Sequence, residues 1–367
     1  MQFNMNIVRR GWSQSLKWIS IILLVLVSIP VMAITTQERD SVLNLPLFNG
    51  DSLLNIELKT DLAALINDIG ESRKYHDCEL SVMVDGDSGI DQFEVKVKTR
   101  GNFRRRKQNC NFPPLRFKIP TDEAKGTVFE GQNKLKYVSH CQSFIDAYEQ
   151  HTVEEYLVYK MYNLISEHSY RVRLAQITFI DINSNDTIKK YGFFLEDKDD
   201  VATRNGKKIM RFKNVKQYDV LRKDMVMLSL FQLMIGNSDW DVGRLHNIDI
   251  MSVSEHSIPI AVPFDFDWSA IIGHSYYIPD PRIDPESKYQ RIYKGYRWSQ
   301  EEFATAFANF QDLKEPFMQL ISDCPYLNKE NQQRLMAYIA EFYELIGSRR
   351  DVRVVIEKNS PKIPTTR

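Results

Sequence analysis

Apolar side chains recur with two different periods along this chain. Phe93, Val95 and Val97 alternate with Lys96 and Lys98, and Leu115, Phe117 and Ile119 alternate with Arg116 and Lys118. Period two predicts half-buried strands. Shorter alternation predicts strands over 52–58 and 78–84, with a short helix over 62–69 between them; strands are also expected over 172–182 and 189–195. Helical spacing then takes over. Val153, Tyr156, Leu157, Met161, Leu164 and Ile165 form one stripe, which predicts a helix over 152–165, and Thr152 with Glu155 has capping-box spacing. Residues 223–235 are apolar almost all round, as expected of a helix buried inside a helical body. Two helices close the chain, one capped by Ser299 with Glu302 and one over 329–346 before Gly347. The order predicts an α+β protein, sheet-rich over 45–200 and mainly helical over 201–355.

The ends read differently. Arg9, Arg10 and Lys17 precede an apolar run over 18–29, and Val31, Met32 and Ala33 end in a small residue. This is the layout of a secretory signal peptide spanning 1–33. An uncleaved membrane anchor is the alternative, and it is the one case in which the chain would associate with a membrane. Export to the periplasm, the cell envelope or the medium is expected either way. Residues 34–44 read as a linker and 356–367 as a loose tail. The whole chain carries 48 basic and 48 acidic side chains; without residues 1–33 the balance is 45 against 48. A near-neutral chain of this kind argues against nucleic-acid binding. Four cysteines, with no CxxC and no zinc spacing, allow a disulfide in an exported protein, and Cys110 with Cys141 is the expected pair because both border the same predicted sheet.

Candidate chemistry gathers after the buried helix. Asp239 and Asp241 lie in a turn-rich loop, Asn247 closes it, and Asp265 and Asp267 end a strand-like run among Phe264, Phe266 and Trp268. This is the order of a phosphotransfer site, with a hydroxyl-orienting Asp followed by an Asn and an Asp that hold a metal. Ordinary turn chemistry also uses Asp and Asn. Carboxylates set between large aromatics, however, are costly unless paired or metal-bound. Upstream, TRGNFRRRKQNC places Gly101 among Arg100, Arg104, Arg105 and Arg106, which suits a phosphate cradle and equally suits a solvated hairpin tip. Lys118 and Lys136 are the lysines that could pair with phosphate. Glu155 either pairs with such a lysine or caps its helix.

In KTRGNFRRR, CNFPPLRFKI, KLKYVSHC, EEYLVYKMYNLI, YRVRLAQITFID, YGFFLEDKDD, IGNSDWDVGRLHN and PFDFDWSA, the chain resembles the CotH-like family, named for a spore-coat protein, and within it the exported members of Bacteroidetes-type bacteria. The resemblance runs over about 45–347. It implies a two-lobed atypical protein-kinase-like fold, with an N-terminal antiparallel sheet lobe plus one helix and a C-terminal mainly helical lobe. It further implies ATP, Mg or Mn, and a protein substrate whose hydroxyl receives phosphate.

By position, Asp239 resembles the catalytic-loop acid, Asn247 the metal-holding Asn and Asp265 the metal-binding acid. Lys118 with Glu155 resembles the lysine–glutamate pair, and Arg100–Arg106 the phosphate-covering loop. Three departures stand out. Asn247 lies eight residues after Asp239 and six after Asp241, where kinases use five, so the two acids compete for the role of base. No GxGxxG occurs, and Asp267 stands where DFG has Gly, as a rival or second ligand. A non-catalytic envelope or assembly protein on the same scaffold, or transfer of the nucleotide instead of phosphate, are the alternatives.

Overall fold

The period-two stretches close on themselves. In the computed structural model, which describes residues 34–364 apart from 85, 87, 88, 213, 285, 286, 288 and 359, seven strands form a barrel. They are β1 (Leu54–Thr60), β2 (His76–Val84), β3 (Asp91–Thr99), β4 (Leu115–Lys118), β5 (Lys134–Val138), β6 (Val172–Asp181) and β7 (Thr187–Leu195), in the spatial order β1-β2-β3-β4-β5-β7-β6. The expected signal peptide falls outside the described residues. Alternation decides which side chains enter the barrel: Leu54, Ile56 and Leu58 are buried while Glu57 between them is exposed, and Phe93, Val95 and Val97 follow the same rule. Phe117, Tyr137 and Phe194 pack ring against ring inside, at centroid separations of 5.2 to 5.9 Å.

An antiparallel sheet was the expectation, but β1 pairs with β6 in parallel, and that pair closes the barrel. A parallel neighbour requires a long connection. Here it is supplied by β2 to β5 and a long helix, so local alternation carries no sign of it.

A second hydrophobic core gathers the outer faces of β6 and β7 (Val172, Leu174, Phe193, Leu195) with the helices α3 (Asp146–Ile165), α5 (Arg222–Met234), α6 (Gln300–Ser322) and α7 (Lys329–Gly347). A three-stranded sheet of β8 (Lys208–Met210), β9 (Ile248–Ser252) and β10 (Ile260–Pro263) packs into the same core.

Helix α3 begins at Asp146, six residues before the expected start at Thr152. Asp146 and Glu149 occupy its first turn, and Lys190 of β7 pairs with them at 3.5 and 3.1 Å. Thr152 therefore lies inside the helix, its hydroxyl donating to the Tyr148 carbonyl at 3.0 Å, and Glu155 caps nothing.

In the acidic run over 196–200, Asp197 caps α4 (Lys198–Arg204), and buried Glu196 binds Arg171 and Arg204 at 2.8 and 2.9 Å. Residues 34–44, expected as a linker, hold a capped helix, α1 (Thr36–Leu43), and the short helix expected over 62–69 is α2 (Leu62–Asn67). The tail is held as well, with Ile356 fully buried and the Arg297 N–H donating to the Pro361 carbonyl at 2.8 Å. Cys110 and Cys141 are joined by a disulfide, as their positions beside the sheet suggested. No described helix is long and apolar enough to cross a membrane.

Candidate functional site

Two backbone links bring the acidic segments together. Helix α5 ends at Met234, and Gly236 takes the left-handed conformation where a Cβ would stand 2.2 Å from the Tyr338 hydroxyl. The chain then runs beside the residues that follow Asp267: Ala270 and Ile271 donate to the carbonyls of Gly236 and Ile235 at 3.2 and 3.1 Å. The second link is the β9–β10 pair. Its register sets Ile248 opposite Pro263, so Asn247 and Phe264 meet at the same end, and the Phe264 N–H donates to the Asn247 carbonyl at 3.1 Å. Asn247 and Asp265 both hold left-handed backbones, with φ of 52° and 62°. Asn and Asp tolerate that region better than other side chains do.

Within this frame the acids differ. Asp239 Oδ1 lies 2.8 Å from His246 Nε2, and its Oδ2 accepts from the Asn247 amide at 3.0 Å. The same amide donates to the Asp239 carbonyl at 2.8 Å. Asp241 serves the turn instead, accepting the Arg244 N–H at 2.9 Å and pairing its backbone with His246. Asp265 is exposed; its N–H donates to the Tyr159 hydroxyl at 2.7 Å, and its carboxylate makes no hydrogen bond or ion pair among the described residues. Asp267 is buried beneath Tyr276, whose hydroxyl donates to Oδ2 at 3.0 Å.

Glu155 joins them from α3. It is 1% exposed, lies 3.6 Å from Arg104 Nη1, and its Oε2 has no hydrogen-bond partner. Burial pushes its pKa well above the carboxylate range, and the charges of Asp267 and Asp265 push the same way against Arg104 and Arg100. Asp267 is raised from 3.8 to about 7, first by burial and then by Asp265, with Arg104 and Tyr276 opposing.

The cations come from the barrel. Burial disfavours the Arg100 charge, and Arg116 and Arg104 repel it while Asp265 supports it. Lys136 is likewise lowered, by burial first and then by Arg100. Arg116 and Lys136 are cross-strand partners on β4 and β5, facing out of the barrel, and the Lys136 ammonium stands 5.7 Å from the Phe264 ring.

Lys118, the expected partner of Glu155, is exposed at the end of β4 with no ion pair among the described residues; Arg104 takes its place. The basic loop divides. Arg100 and Arg104 turn toward the acids, whereas Arg105 binds Glu71 at 2.7 Å and Lys107 binds Asn67. Gly101 is exposed in left-handed backbone at the tip. Phe103 packs its ring against Trp268 and Tyr276 at 5.3 and 5.2 Å, so the loop also touches the acidic segment through aromatics.

Sequence reasoning missed Tyr159, Tyr276, His246 and Arg116. Arg116 could have been found from its place on the same strand face as Lys118. Tyr276 lies in a Tyr-rich stretch that carries no motif, and nothing in the sequence marks Tyr159.

Among the described residues, no three His, Cys, Asp or Glu side chains converge as a metal cage. Magnesium is more often held by one or two carboxylates together with phosphate oxygens and water. The donors here fit that mode: an Asp265 carboxylate without a hydrogen bond or ion pair among the described residues, Asp267, and the Asn247 amide oxygen.

The raised Asp267 pKa has a consequence for stability. The folded chain binds this proton more tightly than the unfolded chain, so the group's contribution is full below about 4 and is lost as pH rises toward 7. Asp267→Asn removes that loss. The melting temperature of the variant relative to the parent is expected to rise between pH 5 and pH 8 by several degrees, as read by thermal denaturation at both pH values.

No family model matches the chain, and no curated protein matches it. Among solved structures it is similar to the crystal structure of the Golgi casein kinase with Mn/ADP bound, at 12% identity over 90% of this chain and 81% of that chain, with a TM-score of 0.34.

Proposed function

We propose that this chain is an exported, CotH-like, kinase-like phosphotransferase that moves a phosphoryl group from ATP to a protein hydroxyl. The observation that carries the reading is the meeting of three separate segments: Arg104 of the basic loop lies 3.6 Å from buried Glu155 of α3, and Phe103 of the same loop packs against Trp268 and against Tyr276, whose hydroxyl binds Asp267. Cations and carboxylates drawn together in this way suit a triphosphate with a divalent ion.

Asp239 orients the acceptor hydroxyl and takes its proton. Each of its oxygens keeps a second lone pair beyond the His246 and Asn247 contacts, and the side chain is 35% exposed. Asp241 is spent on its turn. Arg100, Arg104, Arg116 and Lys136 bind and orient the phosphates. Asp265, Asp267 and Asn247 would hold Mg or Mn, which when bound neutralises phosphate charge. The Cys110–Cys141 disulfide suits an oxidising, exported setting.

The purified chain, given labelled ATP with Mg or Mn, is expected to label itself or a generic protein, and Asp239→Ala is expected to lower the rate about 100-fold or more. Absence of transfer with either metal overturns the reading.

One observation favours a second reading, nucleotidyl transfer: Glu155 is paired with an arginine and not with the lysine that protein kinases use. A phosphate chain held by a different cation set can present another phosphorus, and the mass added to the product separates the two.

A further inference from the structure

We propose that Lys294 is the positioning residue of the Asp239 loop; this rests on the phosphotransfer reading above and adds to it a group no motif marks. Lys294 lies in the irregular stretch between β10 and α6, 56 and 54 residues after the two carbonyls it holds. Its ammonium donates to the Ser238 carbonyl at 2.6 Å and to the Trp240 carbonyl at 3.0 Å, one on each side of Asp239.

The consequence follows from peptide planarity. The plane joining residues 238 and 239 carries the Ser238 carbonyl, held by Lys294, and the Asp239 N–H, which donates to Asn237 Oδ1 at 2.8 Å. The plane joining 240 and 241 carries the Trp240 carbonyl, also held by Lys294, and the Asp241 N–H, which donates to the His246 carbonyl at 2.9 Å. Between them, the Asp239 carbonyl accepts from Asn247 at 2.8 Å. Both planes that flank the Asp239 Cα and the next plane along are thus pinned, one flanking plane and the next one by the same lysine. With the backbone on both sides of its Cα set, the direction of the Asp239 side chain is set as well.

The lysine is itself rooted. Its carbonyl accepts from the Gln217 amide at 3.0 Å, and the Tyr293 hydroxyl beside it lies 3.0 Å from the Ser229 hydroxyl of α5. Helix α5 leads directly into the Asp239 loop, so the lysine and the loop hang from one element. Burial lowers the pKa of the ammonium from its ordinary value and Arg282 works the same way, while the charges of Asp280, Asp241 and Asp239 oppose them. An ammonium suits the task because its three donors spread in different directions, so it can bridge two carbonyls.

The test compares the full chain with Lys294→Met, which keeps the aliphatic stem and removes the donors. Amide hydrogen exchange at Asp239 and Asp241 is expected to speed up at least tenfold, while exchange in the barrel stays unchanged. In transfer assays kcat is expected to fall about 10- to 100-fold with the KM for ATP within twofold, since misplacing a reacting group by about 1 Å costs on that order. Lys294→Gln, with two donors, should recover part of kcat, and it carries the same measurements should the Met variant fail to fold. Unchanged exchange at Asp239 and Asp241 overturns the proposal, as does an unchanged kcat in an active protein. If the unsubstituted chain transfers nothing while exchange still rises in the variant, the phosphotransfer reading fails and the loop-holding role of Lys294 stands.

Discussion

Asp265→Ala and Asp265→Asn are both expected to lower phosphoryl transfer about 10²- to 10³-fold, and Asp265→Asn, which tolerates the left-handed backbone, is expected to leave the melting temperature within about 1 °C. Activity and stability separate here because the carboxylate is exposed and makes no hydrogen bond or ion pair among the described residues. Surface substitutions without such partners alter stability little. The backbone does not depend on the carboxylate either, since the link to Tyr159 uses the Asp265 N–H. Its left-handed φ of 62° favours Asn over Ala as the replacement, so Asp265→Asn serves as the control for backbone strain. An exposed acid held in a costly conformation, with no hydrogen bond or ion pair among the described residues, suits a partner from outside the chain. Removing one charge that balances a phosphoryl group in the transition state costs on this order in other enzymes. Rates measured with saturating ATP and Mn, beside thermal melts of both variants, check the prediction.

Arg104→Met is expected to act the other way, on stability first. Arg104 is the cation paired with Glu155, and it favours the charged forms of Asp267 and Glu155 alike. Burial works against its own charge, but Tyr276, Glu155, Asp267 and Asp265 together raise its pKa above the ordinary value. It also donates to the buried Ser139 carbonyl. Removing one partner of a buried pair leaves the other uncompensated, at a cost of about 3–5 kcal/mol. The remaining carboxylates can respond by taking up protons, which the raised pKa values of Asp267 and Glu155 already favour. The loss should therefore be larger at pH 8 than at pH 5, as urea denaturation at the two pH values would report. An equal loss at both would mean that Arg104 acts by packing alone.

The two predictions locate what the sequence could and could not disclose. Period two exposed the strands because each has one face in the barrel, as Phe93, Val95 and Val97 illustrate. It was silent on the parallel β1–β6 pair, since pairing direction leaves no trace in alternation. The buried character of α5 was legible from its all-round apolar composition, and so was the acidic loop that follows it. The start of α3 was not legible: residues 146–151 are mostly polar, and they are held by Lys190 and the Tyr191 N–H of β7, a tertiary contact that a local pattern cannot contain.

That one misplaced boundary governed how Glu155 was read. At the start of a helix it is a cap; in mid-helix it is a buried acid needing a cation. The cation it finds, Arg104, is 51 residues away, and among the described residues neither Lys118 nor Lys136 forms an ion pair with Glu155. Asp239 and Asp241 could not be separated by sequence because both satisfy turn chemistry. They separate in three dimensions, where Asp241 closes its own turn on Arg244 and Asp239 is bound to Asn247 and His246.

Calorimetric titration of ATP into the purified chain, with and without Mn, tests most directly whether the meeting of Arg104, Glu155, Asp265 and Asp267 is a metal–nucleotide site. Binding that requires Mn in the parent chain and is lost in Asp265→Ala is the predicted result. No binding of ATP with Mn or Mg, or equal binding with and without metal, would contradict the assignment.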